Sequence, residues 1–318
     1  MPKELDNLIN RASEWLKGTG PLSEIVLSSR IRLARNLDKF PFTVRANRAG
    51  LQQILDAVKE AVAKAAALRK AQVYDMTGLS ELDRQFLVER HLISREHVIS
   101  PEGRGVVIAH GEAVSLMINE EDHIRLQVLQ SGLNLRDAWT LVDTIDDELA
   151  ASLPFAYLTD WGYLTCCPTN TGTGMRASVM LHLPSLVMTK QINNVLHTIT
   201  KLGLAARGFY GEGTEASGNF FQISNQVALG RTEDELIENI ERILKHARTV
   251  SSNEANDLLS VTRLGVDLGL MNGGLDRAGV NELFLFSQPA HLQKLEGKAL
   301  GAKERDAKRA ELIRQRLH

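Results

Sequence analysis

Residues 24–36, EIVLSSRIRLARN, alternate regularly between two kinds of side chain. In a β-strand successive side chains point to opposite faces of the sheet. Arg30 and Arg32 would therefore share one face, while Ile31 and Leu33 share the other. The stretch predicts a strand with an apolar face for a core and a second face that carries guanidinium groups.

The other segments upstream of residue 231 have either the periodicity of a helix or the alternation of a strand. Residues 51–69 are rich in alanine and apolar at helical spacing, which predicts a helix. Residues 105–130 predict two strands joined in a hairpin at His110 and Gly111. Strands are also predicted at 177–187 and 221–229, and an amphipathic helix at 185–204 that Gly203 would end.

The pattern becomes mostly helical after residue 231. Thr232 with Glu235, and Ser251 with Glu254, have the spacing of capping boxes that open helices. We therefore predict two domains, 1–231 and 232–318. The first is α+β with a mainly antiparallel β-sheet flanked by helices, and the second is all-helical.

Composition excludes several classes of protein. The 318 residues include 37 Lys and Arg against 39 Asp and Glu, so no basic surface points to nucleic acid. No apolar run is long enough to span a membrane. Residues 1–20 predict a short amphipathic helix and lack the apolar core of a signal peptide. Cys166 and Cys167 are neighbours and cannot frame a disulfide scaffold, so we expect a cytoplasmic protein.

The common phosphoryl-transfer and metal motifs are missing from the sequence. It contains no P-loop and neither the His-Arg-Asp nor the Asp-Phe-Gly motif of protein kinases. Gly172 and Gly174 form at best a partial dinucleotide fingerprint. No His-Glu-x-x-His or paired Cys-x-x-Cys spacing indicates a metal site.

Isolated arginines in apolar surroundings are the remaining signal, and two glutamates accompany them. Glu121 precedes one of the arginines by four residues, and Glu212 follows another by five. A single surface arginine is usually only solvated, but several converging guanidinium groups match the oxygens of a nucleoside triphosphate. The arginines are Arg30, Arg32, Arg125, Arg176 and Arg207.

Four ordered segments resemble the signature segments of the ATP:guanidino phosphotransferases, the family of the arginine and creatine kinases. The resemblance covers nearly the whole chain and implies a guanidino-kinase catalytic domain. The segments are VLSSRIRLARN (26–36), NEEDHIR (119–125), CPTNTGTGMRAS (167–178) and RGFYGEGTE (207–215).

Two features make the chain most similar to the bacterial branch that phosphorylates arginine in proteins. The SSR strand begins at residue 28, which leaves no room for the helical domain that precedes it in kinases of small guanidines. The tail also resembles the Arg-Asp-x-x-Arg-Ala motif of that branch, which implies an allosteric phosphoarginine-binding pocket. Alternatively, this motif is a charged helix face. It consists of Arg305, Asp306, Ala307, Lys308, Arg309 and Ala310.

The resemblance also implies roles in the active site. Glu121 and Glu212 would clamp the target guanidinium and accept its proton, and Cys167 would be the reactive cysteine beside it. An inert, buried Cys167 is the alternative, and Cys166 would only pack. The implied ATP-binding residues are Ser28, Ser29, Arg30, Ile31, Arg32, His91, Arg125, Arg176, Ala177, Ser178, Val179, Met180, Arg207, Gly208, Phe209, Tyr210 and Gly211. For His91 a structural role is the alternative.

The cofactors implied are ATP and Mg²⁺, the latter carried by the nucleotide. The implied partners are proteins with an exposed arginine, an activator protein, the ClpC–ClpP protease and a second copy of the chain, and the implied role includes regulation of stress-gene repression. Between Lys245 and Ser252 this chain lacks a charged helical segment that opens the C-terminal domain in the family. The family's dimer interface and the coupling between its domains are attributed to that domain, so the resemblance is weakest for these two properties. A kinase of free arginine and a non-catalytic phosphoarginine-binding adaptor are the alternative functions.

Overall fold

The computed structural model describes residues 13–23, 25–183, 186–187, 192–207, 219–246, 287, 292–293, 296, 298 and 300–317. The chain divides into two compact units. The first comprises Met1–His182 and Ile199–Ile240, and the second comprises Leu183–Thr198 and Glu241–His318. No helix in the described ranges is long and apolar enough to cross a bilayer.

An eight-stranded sheet forms the frame of the first unit, and every pairing in it is antiparallel. Its strand order is β2-β3-β4-β5-β1-β8-β10-β9, and β6 and β7 form a separate hairpin. The strands are β1 (Val26–Arg35), β2 (Gln72–Asp75), β3 (Gly105–Ala109), β4 (Val114–Ile118), β5 (Ile124–Ser131), β6 (Tyr157–Leu158), β7 (Gly162–Tyr163), β8 (Met175–His182), β9 (Leu204–Arg207) and β10 (Phe220–Asn225). This confirms the α+β class.

The described helices begin at capping residues where the sequence provides them. Ser80 and Asp83 form a full capping box, and Thr232 and Glu235 form the predicted one. The α-helices are α1 (Arg48–Lys64), α2 (Glu81–Glu89), α3 (Arg95–Ile99), α4 (Leu135–Ala150), α5 (Ile192–Lys201), α6 (Glu233–His246) and α7 (Ala302–Leu317). Short 3₁₀ turns occupy Glu14–Leu16, Ala66–Leu68, Met76–Gly78 and His110–Glu112.

One face of the sheet contributes to the hydrophobic core. Ile31 and Leu33 of β1 are at most 1% exposed, and α4 packs on β1 and β5. Arg35 lies on this same face and is held by α4: its Nε and Nη2 donate to Asp146 Oδ2 at 3.0 and 2.7 Å. Its guanidinium also lies 3.5 Å from the centroid of the Tyr163 ring. The predicted separation of arginines from apolar side chains on β1 is therefore confirmed, with Arg35 as a buried exception.

Four predictions about local structure need correction. The strands predicted over 177–187 and 221–229 end early, at His182 and Asn225. The segment 105–130 contains three strands, not two, because a second turn at residues 119–123 separates β4 from β5. Asn119 takes a φ of 59° there, and its N–H donates to His123 O at 2.9 Å. The helix predicted over 51–69 ends at Lys64, since Ala65 is extended.

Two further predictions fall partly or wholly outside the described residues. At the N-terminus the sequence suggests an amphipathic helix, of which the structure describes only the 3₁₀ turn at Glu14–Leu16. The second capping box, Ser251 with Glu254, lies in the part of the chain that is not described.

Candidate active site

Strand register brings the five predicted arginines onto one face of the sheet. Arg32 on β1 lies opposite Arg176 on β8 and opposite Gln127 on β5, two residues from Arg125. Arg30 lies opposite Ser178. Arg207 on β9 pairs with Gln222, which in turn pairs with Met180 of β8. Side chains at paired positions point the same way, so this face is opposite the one that carries Ile31 and Leu33.

A cleft of about 600 Å³ opens on this arginine face. It is lined by every one of the five arginines, and by Glu121 and Cys167 from two loops. His91, which follows α2, forms part of the wall. Most of the described side chains that the sequence analysis assigned to catalysis or to phosphate binding therefore line one cleft, although they come from distant parts of the chain.

The electrostatics of the cleft favour a ligand with several negative charges. Burial, then the charges of Arg125 and Arg176, lower the pKa of Arg30 to about 9. Burial and the neighbouring arginines also lower the pKa of Arg32 well below its usual value. Among the described residues no carboxylate pairs with Arg30 or Arg32, and Arg32 Nε is buried without a hydrogen-bond partner. A bound polyanion would remove this repulsion.

Glu120 is a site residue that the sequence analysis missed. Both of its carboxylate oxygens accept from Arg125 Nη1 at 2.7 Å, and Ser94 Oγ donates to Oε1 at 2.6 Å. Burial opposes ionisation, but Arg125 and these hydrogen bonds outweigh it and lower the pKa of Glu120 to about 2. Glu120 therefore stays charged and fixes Arg125 at the edge of the cleft. Its position in a run of three acids was the available signal.

The neighbouring carboxylates have different environments and different roles. Glu121 is exposed at the cleft, and partial burial followed by the charges of Asp122 and Glu120 raises its pKa. Asp122 is buried and accepts from Asn36 Nδ2 at 2.6 Å and from the Cys166 N–H at 2.7 Å. Asp122 thus ties the turn before β5 to the cysteine loop, while Glu121 remains available to a ligand.

The two adjacent cysteines are not equivalent. Cys167 lines the cleft, with its Sγ 3.1 Å from Thr169 Oγ1. Cys166 does not line it, and its Sγ lies 4.0 Å from Thr43 Oγ1. Burial and the charge of Asp122 raise the pKa of the Cys166 thiol to about 11. Cys167 is therefore the cysteine that a substrate would meet.

This difference predicts selective alkylation. At neutral pH a thiol with a pKa of about 11 carries about 100-fold less thiolate than one at the usual value of 9.0, so iodoacetamide should modify Cys166 very slowly. Peptide mapping by mass spectrometry should find modification at Cys167 first. A Cys166→Ala variant should react at the wild-type rate, and equal labelling of the two cysteines would contradict the assignment.

His91 lies where the cleft meets a smaller cavity of about 20 Å³. It adopts a φ of 59°, and burial followed by the charge of Arg30 lowers its pKa to about 4, so the ring is neutral at physiological pH. The Trp15 ring packs edge-on against it with the ring centroids 5.1 Å apart. Ser28, Ser178 and Met180 also line this cavity.

The remaining residues implied for ATP binding are not in the cleft lining. Ser29, Ile31, Ala177 and Val179 alternate with the cleft residues and lie on the core face. Ser29 Oγ, for instance, donates to Gly132 O at 2.8 Å and accepts from the Asn134 N–H. Gly208, Phe209, Tyr210, Gly211 and Glu212 lie outside the described residues.

The tail motif lies on α7 in the second unit. Arg309 is 1% exposed, with its Nε donating to Ser287 O at 2.8 Å and its Nη1 to Asp306 Oδ1. Arg305 is less buried and donates to Leu300 O at 2.8 Å. Arg309 is thus not part of a solvated helix face. The phosphoarginine pocket itself stays a prediction.

Comparison with known proteins identifies the family to which this chain belongs. Residues 53–250 match the ATP:guanido phosphotransferase C-terminal catalytic domain, and residues 233–318 match the protein-arginine kinase McsB C-terminal domain. The chain is 46% identical over 349 residues to the protein-arginine kinase of Desulforamulus reducens, covering 98% of each protein. The chain belongs to the protein-arginine kinase family. It is an ATP:guanido phosphotransferase, as the four segments indicated.

Two further comparisons describe this kinase. It is 46% identical over 348 residues to the protein-arginine kinase of Halothermothrix orenii, covering 99% of each chain. Both alignments exceed the 318 residues of this chain, so these relatives contain residues without a counterpart here. The solved duplicated taurocyamine kinase of Schistosoma mansoni is 27% identical with a TM-score of 0.66. That match covers 74% of this kinase and 35% of the solved chain.

Proposed function

We propose that the cleft binds Mg-ATP on its arginine face and transfers the γ-phosphoryl group to an arginine side chain of a protein. The observation that carries this proposal is the convergence of Arg30, Arg32, Arg125, Arg176 and Arg207 from four strands. Groups held on strands need little reorganisation to meet a developing charge, which suits phosphoryl transfer.

The nucleoside of ATP would lie at the end of the cleft beside the smaller cavity, which at about 20 Å³ is itself too small to hold the base. That cavity adjoins the arginine face through Arg30 and has mostly apolar walls that include Leu129 and Met180. His91 would contact the nucleotide there as a neutral ring, since its pKa is about 4. The triphosphate would then lie between this cavity and the loop of Cys167.

The acceptor side would be built from Glu121 and Cys167. The family resemblance adds Glu212, which lies outside the described residues. A guanidinium is a poor nucleophile because its charge is delocalised and its pKa is above about 12. The Glu121 carboxylate would orient one guanidinium nitrogen and accept its proton as that nitrogen bonds to the γ-phosphorus. The bond from phosphorus to the bridging oxygen breaks, and ADP leaves with the electron pair.

Mg²⁺ would enter the cleft bound to the triphosphate, as the family resemblance implies. This ion is usually held by substrate phosphates together with one or two carboxylates. Both oxygens of Glu120 are already engaged by Arg125 and Ser94, so we expect the phosphates to be its main ligands. When bound, Mg²⁺ would neutralise phosphate charge.

The wider role follows from family membership and not from the cleft. We propose a cytoplasmic kinase whose phosphoarginine mark directs proteins to the ClpC–ClpP protease and relieves repression of stress genes. An activator protein, a homodimer and a phosphoarginine-binding pocket at Arg305–Ala310 belong to the same proposal. The match of residues 233–318 to the McsB C-terminal domain supports it.

Phosphorylation of casein tests the reaction directly. Incubation with Mg-ATP should place phosphate on casein arginines, and mass spectrometry under non-acidic conditions should detect it because the P–N bond is acid-labile. A Glu212→Ala variant should produce none. Transfer to free arginine but not to casein would instead indicate a small-guanidine kinase, and transfer to neither would favour an adaptor.

A further inference from the structure

A buried ion pair behind His91 has no part in the reaction described so far. Arg90 Nε donates to Glu112 Oε2 and Arg90 Nη2 to Glu112 Oε1, both at 2.7 Å. Side-chain exposure is 14% for Arg90 and only 2% for Glu112. Because desolvation offsets most of the attraction in such a pair, stability alone is a weak reason for it.

The N-terminal segment reaches the same carboxylate. Ser13 Oγ donates to Glu112 Oε2 at 2.9 Å, and both residues are buried. Ser13 lies two residues before Trp15, and Arg90 immediately precedes His91. Since the rings of Trp15 and His91 are in contact, Glu112 holds the chain on both sides of this ring pair.

The backbone around Glu112 is conformationally costly. His110, Gly111 and Glu112 have φ values of 51°, 62° and 74°, a region that residues with a side chain rarely adopt. Such conformations persist where the surroundings enforce them, and they are concentrated at functional sites. Here the turn between β3 and β4 directs the Glu112 carboxylate into the protein, toward Arg90 and Ser13.

His91 itself is held from the cleft side as well. It too has a positive φ, and its carbonyl accepts from Gln127 Nε2 at 2.7 Å. Gln127 lies opposite Arg32 on the arginine face. His91 is thus fixed between the sheet and the Arg90–Glu112 pair.

We propose that Glu112 is a positioning residue for ATP: acting through Arg90 and Ser13, it fixes the Trp15–His91 ring pair at the nucleoside end of the cleft. Both rings line the smaller cavity, and His91 also lines the cleft. The inference rests on the proposed function, since it takes this end of the cleft to bind the nucleoside. It adds a segment before β1 to the nucleotide site.

A Glu112→Gln variant of the full chain tests the inference through a split between KM and kcat. We expect the KM for ATP to rise about tenfold while kcat stays within twofold, because Glu121 and Cys167 are held by other elements. The KM for the protein substrate should not change. Ser13→Ala, which keeps the ion pair, should raise the KM for ATP about two- to threefold.

Two controls separate positioning from general destabilisation. Asp83→Asn breaks the capping box at the opposite end of α2, where Ser80 Oγ donates to Asp83 Oδ2 at 2.7 Å. It should lower the melting temperature without changing the KM for ATP. Arg90→Gln combined with Glu112→Gln should raise that KM no more than Glu112→Gln alone, because Arg90 acts only through its pair with Glu112.

An unchanged KM for ATP in Glu112→Gln would overturn the inference, as would an equal rise in Asp83→Asn. If Glu112→Gln does not fold, Ser13→Ala decides: a wild-type KM for ATP in that variant refutes the role. Failure of the proposed function looks different, because the wild-type chain itself would then transfer no phosphate to arginine.

Discussion

Replacing Glu121 with glutamine should lower kcat for arginine phosphorylation about 10²- to 10⁴-fold, the usual contribution of a positioned acid or base. The amide keeps the shape of the side chain but accepts no proton. ATP should bind Glu121→Gln with nearly wild-type affinity, because the arginine face is untouched. Quantitative mass spectrometry of phosphoarginine and calorimetric titration with ATP would measure the two effects separately.

The pH dependence gives a second readout on Glu121. Partial burial and the adjacent acids raise its pKa, so the wild-type enzyme should lose activity as the pH falls through a value above the usual 4.5. Below that value the carboxyl group is protonated and accepts no proton. This limb should disappear in Glu121→Gln.

The adjacent Glu120 provides the matched control. Glu120→Gln should mainly weaken ATP binding, because Glu120 anchors Arg125 through two oxygens at 2.7 Å. If Glu121→Gln kept more than a tenth of wild-type kcat, Glu121 would not be the base.

Arg32→Met should have opposite effects on ligand binding and on stability. In the proposed function Arg32 contacts phosphate, so its loss should weaken ATP binding about 10- to 100-fold, given about 1.5–3 kcal/mol for a hydrogen bond to a charged group. The ligand-free protein should become more stable, because Arg32 is partly desolvated and lies among like charges, and both effects lower its pKa. A gain of about 1 kcal/mol corresponds to roughly 2–4 °C in melting temperature for a unit of this size.

Calorimetric titration with ATP and a thermal melt without it would measure both effects of Arg32→Met. Arg136→Met is the matched control, since Arg136 is half exposed and only loosely paired with Asp234 and Glu238 at 3.3 and 3.4 Å. That change should leave ATP binding and stability nearly unaltered. A less stable ligand-free Arg32→Met protein would contradict the repulsion inferred in the cleft.

Much of the fold could be predicted from the sequence, because the alternation of apolar and polar side chains directly shows the two faces of a strand. The alternation of residues 26–35 gave the two faces of β1, and Thr232 with Glu235 marked the start of α6. The turn at 119–123 was missed because it contains neither glycine nor proline. Its tight geometry depends instead on Asn119, whose Nδ2 donates to Leu51 O and Gly103 O.

The site residues also include some that the sequence identified and some that it did not. The arginines that share a face were identifiable, since strand pairing needs only their position in the alternation. Arg35 was not identified, because its partner Asp146 is 111 residues away along the chain. Glu120 precedes Arg125 by only five residues, but the sequence does not show which of the three adjacent acids faces that arginine. Glu112 gave no signal in the sequence either, because Ser13 is 99 residues away along the chain.

The two faces of β1 also constrain how this gene can change. A single codon inserted or deleted inside β1, between Val26 and Arg30, would exchange the faces of the residues that follow it. Guanidinium groups would then lie beneath α4, and isoleucine and leucine would lie in the arginine-lined cleft. Core and cleft would be lost in one event, since the same residues define the alternation for both. Selection should therefore tolerate substitutions along this strand far more readily than changes in its length.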